Sequence, residues 1–256
     1  VSDAEDFRAW VDTLPPTEGT VRVEPGRIAT VWLDAPRTRN ALTPAMMVRF
    51  GEAADALRDA RAVILRGAAG TFCSGGDLDA VRAWLAVPGM GRRMGRWMHA
   101  ATEAFEALRV PIVGVLEGAA MGGGAELLAL CDHVVAAPDA RVGWVQSRLG
   151  VRPGFGGETR LVRRIGAEAA ARIIDAGMVL PAAEAMACGV VDAVADPPAD
   201  AARHWAETCA SDPRRAARVV SARGIPCPDV AAAELARFDA CWGHPAHRRA
   251  LGLDPA

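Results

Sequence analysis

The sequence predicts an α/β fold with a helical C-terminal region, and three observations carry that reading. A short apolar run, a glycine-rich turn and a helix-like run follow one another twice, in "AVILRGAAGTFCSGGDLDAV" and in "IVGVLEGAAMGGGAELLALC". Other short β-rich runs alternate with helical patterns between residues 20 and 195. Beyond "ADPPAD", residues 195–200, the pattern is helical and carries little strand signal.

Taken in order, residues 1–19 form an amphipathic segment closed by "LPPTEG" and are expected to be a peripheral N-terminal extension. Thr20 to Val23 and Ile28 to Leu33 read as a hairpin around Pro25-Gly26. A helix follows, with Thr43 as N-cap, Pro44 at its first position and apolar residues at helical spacing through Leu57. "AVILRG" is a buried strand that runs into a glycine turn, after which Asp77 and Leu78 open a helix. A helix near 97–109, the strand "IVGVLEG" and a helix from about 124 to 131 repeat that order. "HVVAAPDARVGW" supplies two further strands, and "SRLGVRPGFGGETRLVRRIG" is a glycine-rich loop entering a helix. The expected division is an extension over 1–19, a mixed core over 20–195 and a helical region over 196–256.

Composition narrows the chemistry. The chain of 256 residues can bury a large core, and its net charge of −2 gives no broad footprint for nucleic acid or an anionic membrane. No lysine and no tyrosine occur, so Schiff-base, Walker-lysine and phenol chemistry are excluded. Six widely spaced cysteines in mostly apolar runs predict buried free thiols. With no membrane-length apolar run and an acidic N-terminus, a cytoplasmic protein is expected. The histidines are scattered and "HPAH" offers only a close pair, so no metal site is expected.

Three consecutive glycines before a helix call for a use of the backbone itself. A helix N-terminus offers free N–H groups and partial positive charge, and glycine permits close approach to them. The turns "CSGGDL" and "MGGGAE" each end a strand and start a helix, so one donor from each can make a pair for an oxygen that gains negative charge. Tight turns or close packing would use the same glycines.

The segments "APRTRNAL", "GTFCSGGDL", "VPIVGVLEGAAMGGGAELLALCDHVVAAPDARVG", "LGVRPGFGGETRLVRRIG" and "AAEAMACGVVDAVAD", in this order, resemble the enoyl-CoA hydratase/isomerase, or crotonase, superfamily over about residues 20–195. The resemblance implies a spiral of ββα turns, a C-terminal helical region that builds homotrimers or dimers of trimers, and an acyl-CoA thioester substrate. Coenzyme A would then be part of the substrate, with no separate cofactor. It also implies that the N–H groups of Gly76 and Gly123 hold the thioester carbonyl, and that Arg37, Arg39, Ala41, Ser74, Asp77 and Leu78 line the coenzyme A channel. Trp144 is a candidate pocket residue.

Hydratases of this family use two glutamates, and Glu126 matches the first. Gln146 falls at the second position, where an amide can orient water but cannot exchange a proton. Glu158 is a candidate replacement acid or a capping residue. The leading expectation is a hydratase-like lyase or isomerase with Glu126 as its base, in fatty acid metabolism. Double-bond isomerisation, decarboxylation, action on an acyl-carrier-protein thioester in secondary metabolism and a non-catalytic acyl-CoA-binding role remain open. A Clp-type peptidase would need a serine near Ala119, Ala120 and Met121, and these positions carry none.

Overall fold

The computed structural model describes residues 3–85, 87–224 and 228–254. Helix α1 (Asp3–Val11) precedes the hairpin of β1 (Thr20–Glu24) and β2 (Ile28–Asp34), then α2 (Pro44–Ala53), β3 (Ala62–Gly67), α3 (Leu78–Trp84) and α4 (Met90–Ala107). Strands β4 (Ile112–Leu116) and β5 (Ala119–Met121) lead into α5 (Gly123–Ala129), followed by β6 (His133–Ala136), β7 (Arg141–Gly143), α6 (Gly157–Ile165) and α7 (Ala167–Asp175). Strand β8 (Val179–Pro181), α8 (Ala182–Ala187) and β9 (Ala193–Val194) complete the mixed region. Helices α9 (Pro198–Ser211), α10 (Pro213–Ala222), α11 (Pro228–Cys241) and α12 (Pro245–Ala250) follow.

Six strands form one sheet in the order β1-β2-β3-β4-β6-β9, antiparallel at β1–β2 and parallel from there on. Strands β5, β7 and β8 form a second, small sheet. The two runs of "HVVAAPDARVGW" are therefore both strands, but they separate into different sheets instead of pairing. Side-chain alternation explains why the central strands are apolar throughout. Val63 and Leu65 of β3 face the main core, whereas Ala62 and Ile64 face Ala202, Ala206 and Ala210 of α9. The first helix of the C-terminal region thus covers one face of the large sheet.

Two expectations differ from the observed structure. Helix α4 begins at Met90, well before residue 97, because its apolar face continues through Met90, Met94 and Met98 into the core. The N-terminal segment also reaches inward: Phe7 is fully buried, with its ring 6.4 Å from Trp84 and 6.2 Å from Trp97. The latter two tryptophans pack as ordinary core residues. Of the cysteines, Cys73, Cys131 and Cys209 are buried free thiols, Cys188 is exposed and Cys241 is half-buried. Cys227 lies outside the described residues. Among the described residues no helix is long and apolar enough to cross a membrane, and no group of three His, Cys, Asp or Glu side chains could hold a metal ion.

The triple glycine has a distinct task at each end. Gly122 sits at φ +52°, in the left-handed region that side chains avoid. A Cβ on Gly124 would lie 2.4 Å from the carbonyl oxygen of Cys73, so only glycine lets α5 approach the turn after β3 so closely.

Candidate active site

The site is built where the two glycine turns meet. Cys73 N–H donates to the carbonyl of Ala119, and Met121 N–H donates to the carbonyl of Cys73, which lays the turn after β3 beside β5. Leu42 fixes the next step: its N–H donates to Gly75 O at 2.7 Å, and its carbonyl accepts from Asp77 N–H at 3.1 Å. In such a parallel bridge the intervening residue, Gly76, turns its own N–H to the other side. Gly123 is the first residue of α5, where a helix leaves its N–H without an internal acceptor. The turns are close enough that a Cβ on Gly75 would be 3.8 Å from Gly123 N.

Gly76 and Gly123 line one cavity of about 440 Å³ together with Glu126 and Gln146. Most of its remaining wall is apolar, including Met47, Val81, Met94, Phe155 and Phe238. Such a pocket, with a few convergent polar groups, suits a small molecule carrying an apolar segment.

Glu126, one turn into α5, is only 2 % exposed. Its carboxylate accepts four hydrogen bonds. Oε1 accepts from Gln146 Nε2 at 2.9 Å and from Gly154 N–H at 3.3 Å. Oε2 accepts from Phe155 N–H at 2.7 Å and from Gly157 N–H at 3.1 Å. Burial raises the proton affinity of Glu126 above the usual carboxylate range and the charge of Glu234 raises it further, while the three backbone donors oppose both. The outcome is a carboxyl group able to hold a proton under conditions where a solvated one would not.

Gln146 sits in a single 3-10 turn, Val145–Leu149, that directs its amide at Glu126. Its Oε1 is buried with no hydrogen-bond partner. Among the channel candidates, Ser74 and Leu78 line the cavity, with Ser74 Oγ donating to Thr38 O at 2.9 Å. Asp77 accepts from Ala80 N–H and caps α3. Arg37 and Arg39 are exposed on the loop after β2, where Arg37 pairs with Glu18. Ala41 is buried nearby, and neither it, Asp77 nor the two arginines line the cavity. Trp144 is 1 % exposed in the core, off the cavity wall. Glu158 also stays off that wall and pairs with Arg152 and Arg237.

Several contributors carried no signal for the site in the sequence. Asn40, fully buried, accepts from Ala35 N–H and donates to Ala68 O and Thr71 O, so it pins the turn after β2 to the turn after β3. His247 lines the cavity from α12; its Nδ1 accepts from Gly243 N–H at 3.2 Å, and burial pulls it down to about 4. The second member of "HPAH" is therefore a neutral imidazole in the pocket wall with its proton on Nε2. Trp242 packs edge-on against it at 5.1 Å.

Residues 24–223 match the family model described as enoyl-CoA hydratase/isomerase. The chain belongs to this family. It is 31% identical to ethylmalonyl-CoA decarboxylase of Mus musculus over 237 residues, covering 88% of this chain and 73% of the relative. It is also similar to the solved enoyl-CoA hydratase of Bacillus anthracis, with 29% identity, 75% of this chain and 77% of that chain covered, and a TM-score of 0.71. The enoyl-CoA hydratase of Bacillus halodurans shares the fold at 19% identity, with a TM-score of 0.81 over 91% of this chain and 98% of that one. The crotonase fold expected from the sequence is thus the one observed. The glycine turns, Glu126 and Gln146 all lie within the matched span.

Proposed function

We propose that this crotonase-family chain acts on acyl-CoA thioesters and decarboxylates a 2-carboxyacyl-CoA. The observation that carries the reading is that, among the described residues, Glu126 is the one proton-exchanging carboxyl of the cavity and is bonded to the amide of Gln146 where a hydratase of the family has its second glutamate. Adding water across a double bond uses one group to take a proton from water and another to protonate the α-carbon. Decarboxylation needs one proton donor.

In the proposed reaction the thioester oxygen rests on the N–H groups of Gly76 and Gly123. The bond between the α-carbon and the carboxylate breaks, carbon dioxide leaves, and the electron pair passes into the enolate, whose oxygen gains charge against the two donors. Glu126, in its protonated form, gives its proton to the α-carbon and recovers one from solvent. The apolar wall accommodates an alkyl substituent on that carbon. The mouse relative named ethylmalonyl-CoA decarboxylase supports the same chemistry.

The test is a mass-spectrometric screen in heavy water against malonyl-, methylmalonyl- and ethylmalonyl-CoA beside crotonyl- and 3-enoyl-CoA. Loss of carbon dioxide with one deuterium gained at the α-carbon is the expected result; water addition to crotonyl-CoA without any decarboxylation overturns the reading. The hydratases among the solved structures make hydration the competing outcome. The pH dependence has a definite sign. Because the protonated form of Glu126 is the one that acts, kcat falls as pH rises through its raised pKa, with a midpoint above the ordinary value of 4.5. Gln146→Glu should cut decarboxylation by at least about tenfold, roughly 1.4 kcal/mol of barrier, since a second carboxylate opposes the anionic substrate. The same variant should hydrate crotonyl-CoA above the wild-type background, as read by the loss of enoyl absorbance.

A further inference from the structure

A second buried carboxylate stands behind Glu126. Glu234, on α11, is fully buried and does not line the cavity. Its Oε1 accepts from Glu158 N–H at 3.3 Å, and its Oε2 accepts from Thr159 N–H at 2.9 Å and Thr159 Oγ at 2.6 Å. These donors belong to the first turn of α6. The N–H immediately before them, that of Gly157, is bonded to Glu126. One helix turn therefore holds two carboxylates from different parts of the chain: its first N–H grips Glu126 and the next two grip Glu234.

A second link runs through Arg160. Its guanidinium donates to Phe155 O at 3.0 Å, while Phe155 N–H donates to Glu126; the same guanidinium pairs with Glu106 of α4. The charged surroundings are accounted for on each side. Glu234 faces Glu158 and Arg160 from α6, and from α4 it faces His99, whose Nε2 is 4.0 Å away and without a hydrogen-bond partner. Burial brings His99 down to about 4, so it stays neutral and Arg160 is the cation acting on Glu234, whose own proton affinity is raised by burial against the Thr159 donors. Glu158 is itself met by Arg152 and Arg237. Around Glu126 stand the Gln146 amide, the three backbone donors and Glu234.

We propose that Glu234 is a positioning residue for Glu126, fixing through the first turn of α6 the donors that hold that acid, so that the two buried carboxylates act as one unit. The inference rests on Glu126 being the proton donor of the proposed reaction. Two like charges in one buried region do not ionise independently, so the pair titrates as a unit.

The experiment is a ¹³C NMR titration of the protein labelled at glutamate side-chain carboxyls, with the two signals assigned through Glu126→Gln and Glu234→Gln. In the wild type, Glu126 should titrate in two steps. In Glu234→Gln it should titrate in one step, at least about one pH unit lower, and the alkaline limb of the kcat profile should move by the same amount with KM nearly unchanged. Thr159→Val removes one donor from Glu234, favours its neutral form and should shift Glu126 in the same direction by less. A simple one-step titration of Glu126 in the wild type overturns the proposal, even where Glu234→Gln does not fold. So does an unchanged Glu126 titration in a folded Glu234→Gln protein. The titration is read without substrate, so absence of decarboxylation and absence of coupling between the two acids are separate results.

Discussion

Glu126→Gln should lower kcat for decarboxylation by about 10²- to 10⁴-fold, the range over which a positioned general acid acts. The amide is nearly isosteric with the carboxyl group, and its oxygen can keep one pair of the four donors, either Gln146 Nε2 with Gly154 N–H or Phe155 N–H with Gly157 N–H, while its NH2 cannot accept from the other pair. Gly76 and Gly123 make none of these bonds, so KM should change less than kcat. Steady-state kinetics and deuterium incorporation at the α-carbon measure the two effects separately. Full activity in Glu126→Gln would remove the assigned acid, whereas binding of acyl-CoA with neither turnover nor exchange in the wild type would make the chain a binding protein.

Asp132→Ala should cost about 3–5 kcal/mol of stability, a shift in Tm of the order of 10 °C. Asp132 and Arg223 are 5% and 8% exposed, so the pair is nearly free of water. Both oxygens of Asp132 accept from the guanidinium, and Oδ2 also accepts from Ile112 N–H at 2.7 Å. Removing the carboxylate leaves a buried cation and an unpaired backbone N–H at the start of β4. By contrast Arg37 and Glu18 are 80% and 71% exposed, and Arg37→Ala should change stability by less than about 0.5 kcal/mol. Urea titration of the two variants at unchanged m separates the cases.

The features legible in the sequence are the local ones. A strand, a glycine turn and a capped helix are written in consecutive residues, so β3, β4, α5 and the cap at Asp77 are legible in the sequence. Strands β5, β8 and β9 are not, because two or three residues carry no periodicity and exist only through their partners. The candidate site divides in the same way. Gly76, Gly123, Glu126 and Gln146 stand in segments with a recognisable order, and all four line one cavity. Asn40 and Glu234 act across long stretches of chain, through bonds to backbone groups that leave no pattern in the sequence, and His247 reaches the cavity from α12 with only a local bond to Gly243. Arginine in a loop is equally compatible with phosphate binding and with a solvated surface, which is why Arg37 and Arg39 could be named without their surroundings being known.

Met47, on the second helix, and His247, on the twelfth, border the same cavity. Closing a pocket whose walls come from such distant parts of the chain costs the freedom of its longest loops, a cost that grows only slowly with loop length. The enclosure depends on the C-terminal helices, α11 carrying Glu234 onto α6 and α12 carrying His247 to the wall. Loosening of either helix therefore opens the cavity wall without breaking the bonds of the glycine turns themselves.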